Sequence, residues 1–111
     1  MTLAIEKVGP ALVVSPQGQI NSANAAAIES ELLEQIDNGE NRLVLDLSGL
    51  DYISSAGLRV MLLVAKRLKQ KSGALALCGI QPHVREVFDI SGFLSILTVV
   101  ESRDDALDML G

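Results

Sequence analysis

The sequence predicts an α/β fold built on a small, mostly parallel sheet. Three observations carry that expectation. Short apolar runs of strand character recur at residues 43–47, 74–78 and 96–100. Between them lie longer segments whose apolar residues repeat every three or four positions, the period of a half-buried helix. Gly, Pro, Ser and Asn punctuate the joints, with no internal repeat and no low-complexity tract. Strands that alternate with helices pair in parallel through right-handed crossovers. At 111 residues, one domain spanning 1–111 is expected, large enough for a single core.

Each element has its own signal. Residues 3–8 and 11–15 are strand-like runs separated by Gly9-Pro10, and they read as an antiparallel hairpin. Asn21 or Ser22 then caps a helix that reaches about residue 38. Ile28, Leu32, Leu33 and Ile36 share one face of it, and Glu29, Glu31, Glu34 and Asp37 lie largely away. Gly39 is the C-cap candidate. Residues 43–47, apolar except for Asp46, suit a central strand covered on both faces. A second helix starts near Ser55 and runs to about Lys71. Leu58, Met61, Leu62, Ala65 and Leu68 form its core stripe, and Gly73 follows as a stop. Residues 74–78 make another strand. Pro82 opens a third helix at its first position, where the missing N–H costs nothing. Val84, Val87, Phe88 and Ile90 bury its inner side, and Gly92 ends it. Residues 96–100 form the last strand. Ser102 caps a terminal helix whose first turn carries Asp104 and Asp105, favourable to the dipole. The order is β-β-α-β-α-β-α-β-α.

Composition narrows the function classes. Hydrophobic residues make up 49% of the chain, yet no run of about 18 apolar residues spans a membrane. No charged segment precedes an apolar leader, so no signal peptide and a cytoplasmic location are expected. Cys78 is the single cysteine, which excludes an internal disulfide and a thiolate metal cluster. Aromatics total 3% and the net charge is −5, which disfavours base stacking and nucleic acid as a partner. An enzyme reading fails on inventory. There is no GxxxxGK[ST] loop and no GxSxG elbow. His83, the only histidine, lacks the ligands of a zinc site and reads as an exposed first-turn residue. Asp46 and Asp51 could form an acid/base pair. The simpler reading is that Asp46 ends a strand and accepts bonds from loop amides, while Asp51 decorates the loop. No catalytic residue, metal or cofactor is expected.

The chemistry concentrates in residues 43–59, LVLDLSGLDYISSAGLR. Ser54 and Ser55 are both good helix caps. A hydroxyl here meets free backbone N–H groups and the positive end of the dipole. A phosphate on Ser55 would be tolerated there and would change the local charge by nearly two units. Val60, Leu63 and Val64 add apolar character beyond the helix stripe. They read either as a wide burial face or as an exposed patch beside Ser55. Arg59, Lys66, Arg67, Lys69 and Lys71 hold five of the nine positive charges. Most of them suit a solvated helix end, but Arg59 lies one turn after Ser55.

The segment LDLSGLDYISSAGLRVML resembles the signature of the STAS family, shared by sulfate transporters and anti-sigma factor antagonists. It is most similar to the stand-alone bacterial antagonists. A second similar stretch is LALCGIQPHVREVFDISGF, ending at Phe93, and the resemblance extends over about residues 3–110. It implies a small mixed sheet with the helices mainly against one side. It also implies partner switching. The unphosphorylated antagonist binds an anti-sigma factor that is also a GHKL-type serine kinase, which frees the sigma factor. Phosphorylation of the serine releases the antagonist, and a PPM-type phosphatase resets it. Carried onto this chain, Ser55 is the acceptor. Ser54, Ala56, Gly57, Leu58 and Arg59 form the docking surface, and the loop Gln19, Ile20, Asn21 and Ser22 lies near the switch. Many relatives carry Asp where Ser54 and Asn21 stand. Ser54 is therefore a second candidate acceptor, and Asn21 weakens the carry-over of the family's nucleotide contacts. The resemblance leaves a second role open, a constitutive STAS subunit of a transport or signalling assembly with no phosphorylation cycle.

Overall fold

The computed structural model describes residues 2–92 and 97–110. Among these residues nine elements follow in order: β1 (Thr2–Val8), β2 (Ala11–Ile20), α1 (Ala25–Asp37), β3 (Arg42–Asp46), β4 (Leu50–Ile53), α2 (Ser55–Gln70), β5 (Ala74–Cys78), α3 (Pro82–Ile90) and α4 (Arg103–Leu110). The α/β class, the N-terminal hairpin, the mixed sheet and the four helices are as the sequence predicts.

The sheet runs β1-β2-β3-β5, with β4 pairing to β2. β1 and β2 are antiparallel from Val8↔Ala11 to Thr2↔Gln17. β3 is parallel to β2, and β5 is parallel to β3. Two differences from the sequence reading are linked. β2 continues five residues past Ser15, and its end pairs with β4, which the sequence presented as loop. Gln19 and Ile20 are thus strand residues rather than loop. Among the described residues, the strand expected at 96–100 is a single parallel bridge, Leu77↔Val99. Leu77 donates its N–H to the Thr98 carbonyl and accepts from Val100 N–H, each at 2.9 Å. Ile96 and Phe93 lie outside the described residues.

Side chains alternate across each strand, so the sheet sorts them onto two faces. Leu12, Val14, Leu43, Leu45 and Leu77 meet Ile28, Leu32 and Ile36 of α1, Met61, Val64 and Leu68 of α2, and Val84 and Phe88 of α3. On the other face Ala11, Val13, Val44, Ala76 and Cys78 lie under Ala106 and Leu110 of α4. The sequence places Ile90 inside, but it ends α3 at 88% exposure. Helix α1 begins at Ala25, with Asn24 at the N-cap, rather than just after Asn21 or Ser22. Gly39, at φ 107, closes it. Ser102 caps α4 through its hydroxyl, which accepts from Asp105 N–H at 3.1 Å.

Ion pairs orient the layers rather than supply much stability. Asp37 of α1 meets Arg67 of α2 at 3.0 Å and Lys71, which caps the end of α2, at 3.3 Å. Burial acts to raise the Asp37 carboxyl, but its bond to Lys71 and the charges of Arg67 and Lys71 hold it below its usual value. On the far face, Arg103 reaches Glu6 at 3.1 Å and Asp46 at 3.3 Å. Asp46 also accepts from Ser48 N–H at 3.1 Å, the loop-amide role its position suggested.

Cys78 sits fully buried beneath α4. Burial, and then the nearby Asp46 carboxylate, push its thiol up from 9.0 to about 11, against the opposing charge of Arg103. An unfolded chain ionises this thiol at lower pH than the folded one does. Its contribution to stability is therefore complete below about pH 9 and is lost as pH rises toward about 11. The loss expected is roughly 2–3 kcal/mol. Urea midpoints of the wild type and Cys78→Ala should converge over that interval. Parallel pH profiles would refute this.

Candidate functional site

Ser54 and Ser55 divide the two roles that the sequence left open between them. Ser54 N–H donates to the Ile20 carbonyl at 2.9 Å, so the chain is still extended at that residue, with φ −89 and ψ 173. That backbone is what an N-cap requires. The Ser54 hydroxyl accepts from Gly57 N–H at 3.2 Å, and its carbonyl accepts from Leu58 N–H at 3.0 Å. Ser54 is half-buried. Ser55 is the first residue of α2 and is exposed. Its hydroxyl takes no part in the cap.

The ground beneath this hydroxyl is rigid. The end of β2 pairs in parallel with β4, which leads directly into α2, with a register shift between Gly18 and Gln19. Ile20 and Ile53 are buried, and Gly57 lies against both. Beside them the turn from β2 to α1 is closed by its own side chains. Asn21 Oδ1 accepts from Ala23 and Asn24 N–H at 2.9 and 3.2 Å. Asn24 Oδ1 accepts from Asn21 N–H at 2.8 Å, and Asn24 Nδ2 donates to the Gln19 carbonyl at 2.9 Å.

Of the site residues named from sequence, Ser22, Ser55 and Arg59 are exposed, and Asn21, Ser54 and Ala56 are half-exposed. The Ile20–Ser54 bond joins the two segments that carry them. Gly57 and Leu58 are buried, Leu58 at 5%. They support the surface from beneath and present no contact of their own. Arg59 has no ion pair among the described residues. It stands one turn along α2 from Ser55, on the same side of the helix.

The apolar residues of α2 resolve toward burial. Val60 and Val64 are core, at 3% and 0%, while Leu62 and Ala65 of the expected stripe are half-buried. The patch reduces to Leu63 on α2 and Tyr52 on β4, both exposed. Tyr52 was missed because β4 was missed. As the chain's only tyrosine, three residues before Ser55, it could have been flagged. His83 Nε2 donates to the Asp51 carbonyl at 2.6 Å, and Gln81 Nε2 donates to the Ser48 carbonyl at 2.9 Å. These bonds pin the start of α3 to the β3–β4 connection and β4, which gives His83 a structural task. Among the described residues no group of acidic, His or Cys side chains could hold a metal ion.

A family model described as the STAS domain matches residues 2–106. A Bordetella bronchiseptica protein named as an anti-sigma factor antagonist, BtrV, is 59% identical over 106 residues, covering 96% of this chain and 91% of its own. The crystal structure of a protein from Thermotoga maritima, also named for that role, superposes with a TM-score of 0.93 at 20% identity. That match covers 97% of this chain and 93% of the other. The Bacillus cell fate determinant SpoIIAA in its phosphorylated form superposes with a TM-score of 0.76 at 20% identity, covering 99% of this chain and all of its own.

Proposed function

The chain belongs to the STAS domain family, and from that membership we infer that it is an anti-sigma factor antagonist that works by partner switching. The observation that carries this reading is the exposed hydroxyl of Ser55 at the first position of α2, left free because Ser54 does the capping. The unphosphorylated surface docks an anti-sigma factor of the GHKL serine-kinase type. Ser55, Arg59, Ala56, Ser22 and Asn21 form that surface, with Tyr52 and Leu63 at its apolar margin. In the complex the kinase transfers the γ-phosphoryl group of ATP to Ser55 Oγ, with release of ADP and the hydroxyl proton. The phosphate brings nearly two negative charges into an interface that must then desolvate them, and the complex separates. A PPM-type phosphatase hydrolyses the ester and restores the binding form.

The fold tolerates the modified state. A phosphate at Ser55 lies beside the free N–H groups that open α2, at the positive end of its dipole, with Arg59 one turn away. The change is therefore confined to the surface charge that the partner meets. No helix among the described residues is long and apolar enough to cross a membrane.

The test is phosphopeptide mass spectrometry after incubating the protein with Mg-ATP and a lysate of its native host. The expected phosphate sits on Ser55 and disappears in Ser55→Ala. Ser54 stays unmodified, because its half-buried hydroxyl is engaged with Gly57 N–H. No phosphate from a demonstrably active lysate would favour a constitutive STAS subunit. A phosphate on Ser54 alone would refute the division of roles.

A further inference from the structure

At the far end of α2 from Ser55 lies a groove of about 580 Å³. Its walls are the C-terminal half of α2, the start of β5 and the end of α4, with Leu97 and Thr98 beside them. Leu62, Ala65, Leu75, Leu97, Met109 and Leu110 make it apolar. Met109 is 48% exposed, so an apolar part of the groove wall is open to solvent. Lys66 and Lys69 also line the groove. The neighbouring cations Arg67 and Lys71 turn to Asp37, but Lys66 and Lys69 have no ion pair among the described residues. Both are exposed.

An apolar trough beside two unpaired ammonium groups, in a protein of net charge −5, selects for one kind of ligand chemistry. The ligand needs an apolar tail to fill the trough and an anionic head to meet the lysines. It must also be slender, because the trough is a surface groove that offers one long wall of α2. From this charge complementarity we propose that the groove binds a free fatty acid, its alkyl chain along Leu62, Leu97 and Met109 and its carboxylate at Lys66 and Lys69. Sixty-six and sixty-nine are adjacent on a helix face, so one carboxylate can meet both. The groove begins about 10 Å along the α2 axis from Ser55, at Leu62, and reaches about 21 Å at Lys69. It is separate from the docking surface and does not depend on the reading given for it.

The experiment is a titration of the full chain with decanoate below its micelle concentration, followed by methyl and amide NMR. Shifts are expected at Ala65, Leu75, Met109 and Leu110. Going from octanoate to decanoate to dodecanoate should tighten binding by about fourfold per methylene until the trough is full. Lys66→Glu with Lys69→Glu should weaken decanoate by about tenfold or more, in a chain that still unfolds cooperatively. Met109→Glu, at an exposed position, should do the same without touching the core. Arg85→Glu, a charge reversal elsewhere on the surface, should leave binding as it is. Absence of shifts overturns the proposal, as does equal binding of decanol or decyltrimethylammonium. Flotation with vesicles of phosphatidylcholine and oleate, but no response to monomeric decanoate, overturns it in favour of a membrane surface.

Discussion

Replacing Ser55 with Asp is expected to weaken binding of the anti-sigma factor by about tenfold or more, or ~1.4 kcal/mol, while raising the stability of the isolated domain slightly. The two effects have opposite signs for one reason. In the free protein the new carboxylate stands at the first position of α2, where the helix dipole favours a negative charge by about 0.3–1 kcal/mol. In the complex the same carboxylate is enclosed by a partner, loses its water and meets no cation placed for it except Arg59. Desolvation then outweighs the dipole. Ser55→Ala should bind like the wild type and should not be released by ATP. Calorimetry of binding and urea denaturation of the free variants, done together, separate this account from misfolding. A misfolded Ser55→Asp loses both affinity and stability. Equal affinity of the Asp and Ala variants for the purified partner would defeat the mechanism. Since Asp carries one negative charge where phosphate carries nearly two, the proposed phosphorylation should have the larger effect.

The helices were legible because each announces its period, and α3 and α4 also announce their starts. Pro82 at the first position of α3 and Ser102 at the cap of α4 are local signals that no tertiary contact overrides. The second strand of the site was not legible. Leu50-Asp51-Tyr52-Ile53 is buried only at its two ends, so it shows neither the alternation of a half-covered strand nor the continuous apolar run of a buried one. It pairs with Gly18-Gln19-Ile20, where Gly and Gln give no strand preference either. Both segments are strands because they lie beside each other, a fact of tertiary pairing rather than propensity. The phase of α2 was only partly legible for a different reason. Leu58 and every position from Val60 to Ala65 are apolar, so the sequence alone fits several orientations. The structure turns Val60 and Val64 inward, because α2 packs against both α1 and the sheet. The ambiguity between Ser54 and Ser55 had the same origin. Both residues can cap, and the extended backbone inherited from β4 assigns the cap to Ser54.

Gly57 is the position where fold and switch are least separable, and substituting it is expected to damage both. A β-carbon there would stand 2.6 Å from Ile53 Cγ1 and 2.8 Å from Ile20 Cγ2. Neither neighbour can yield cheaply. Both isoleucines are buried, at 1% and 0%, both are stiff at χ1, and their strands are paired to each other. Ala in place of Gly favours a helix interior by about 1 kcal/mol. Overpacking a filled core costs about 1–3 kcal/mol, so Gly57→Ala should be neutral to destabilising despite its better propensity. Gly57→Leu adds a branched chain with nowhere to go, and about 3 kcal/mol or more should be lost. The relief available to the larger residue is to lift the first turn of α2 off β2 and β4. That movement stretches the Gly57–Ser54 cap bond and displaces Ser55. Gly57→Leu should therefore lose partner affinity although its side chain never reaches the surface, and its kinase should phosphorylate it more slowly. Urea denaturation measures the first effect, and calorimetry with a phosphorylation time course measures the second. A Gly57→Leu variant with wild-type stability and full partner binding would show that the helix start has slack that these contacts deny.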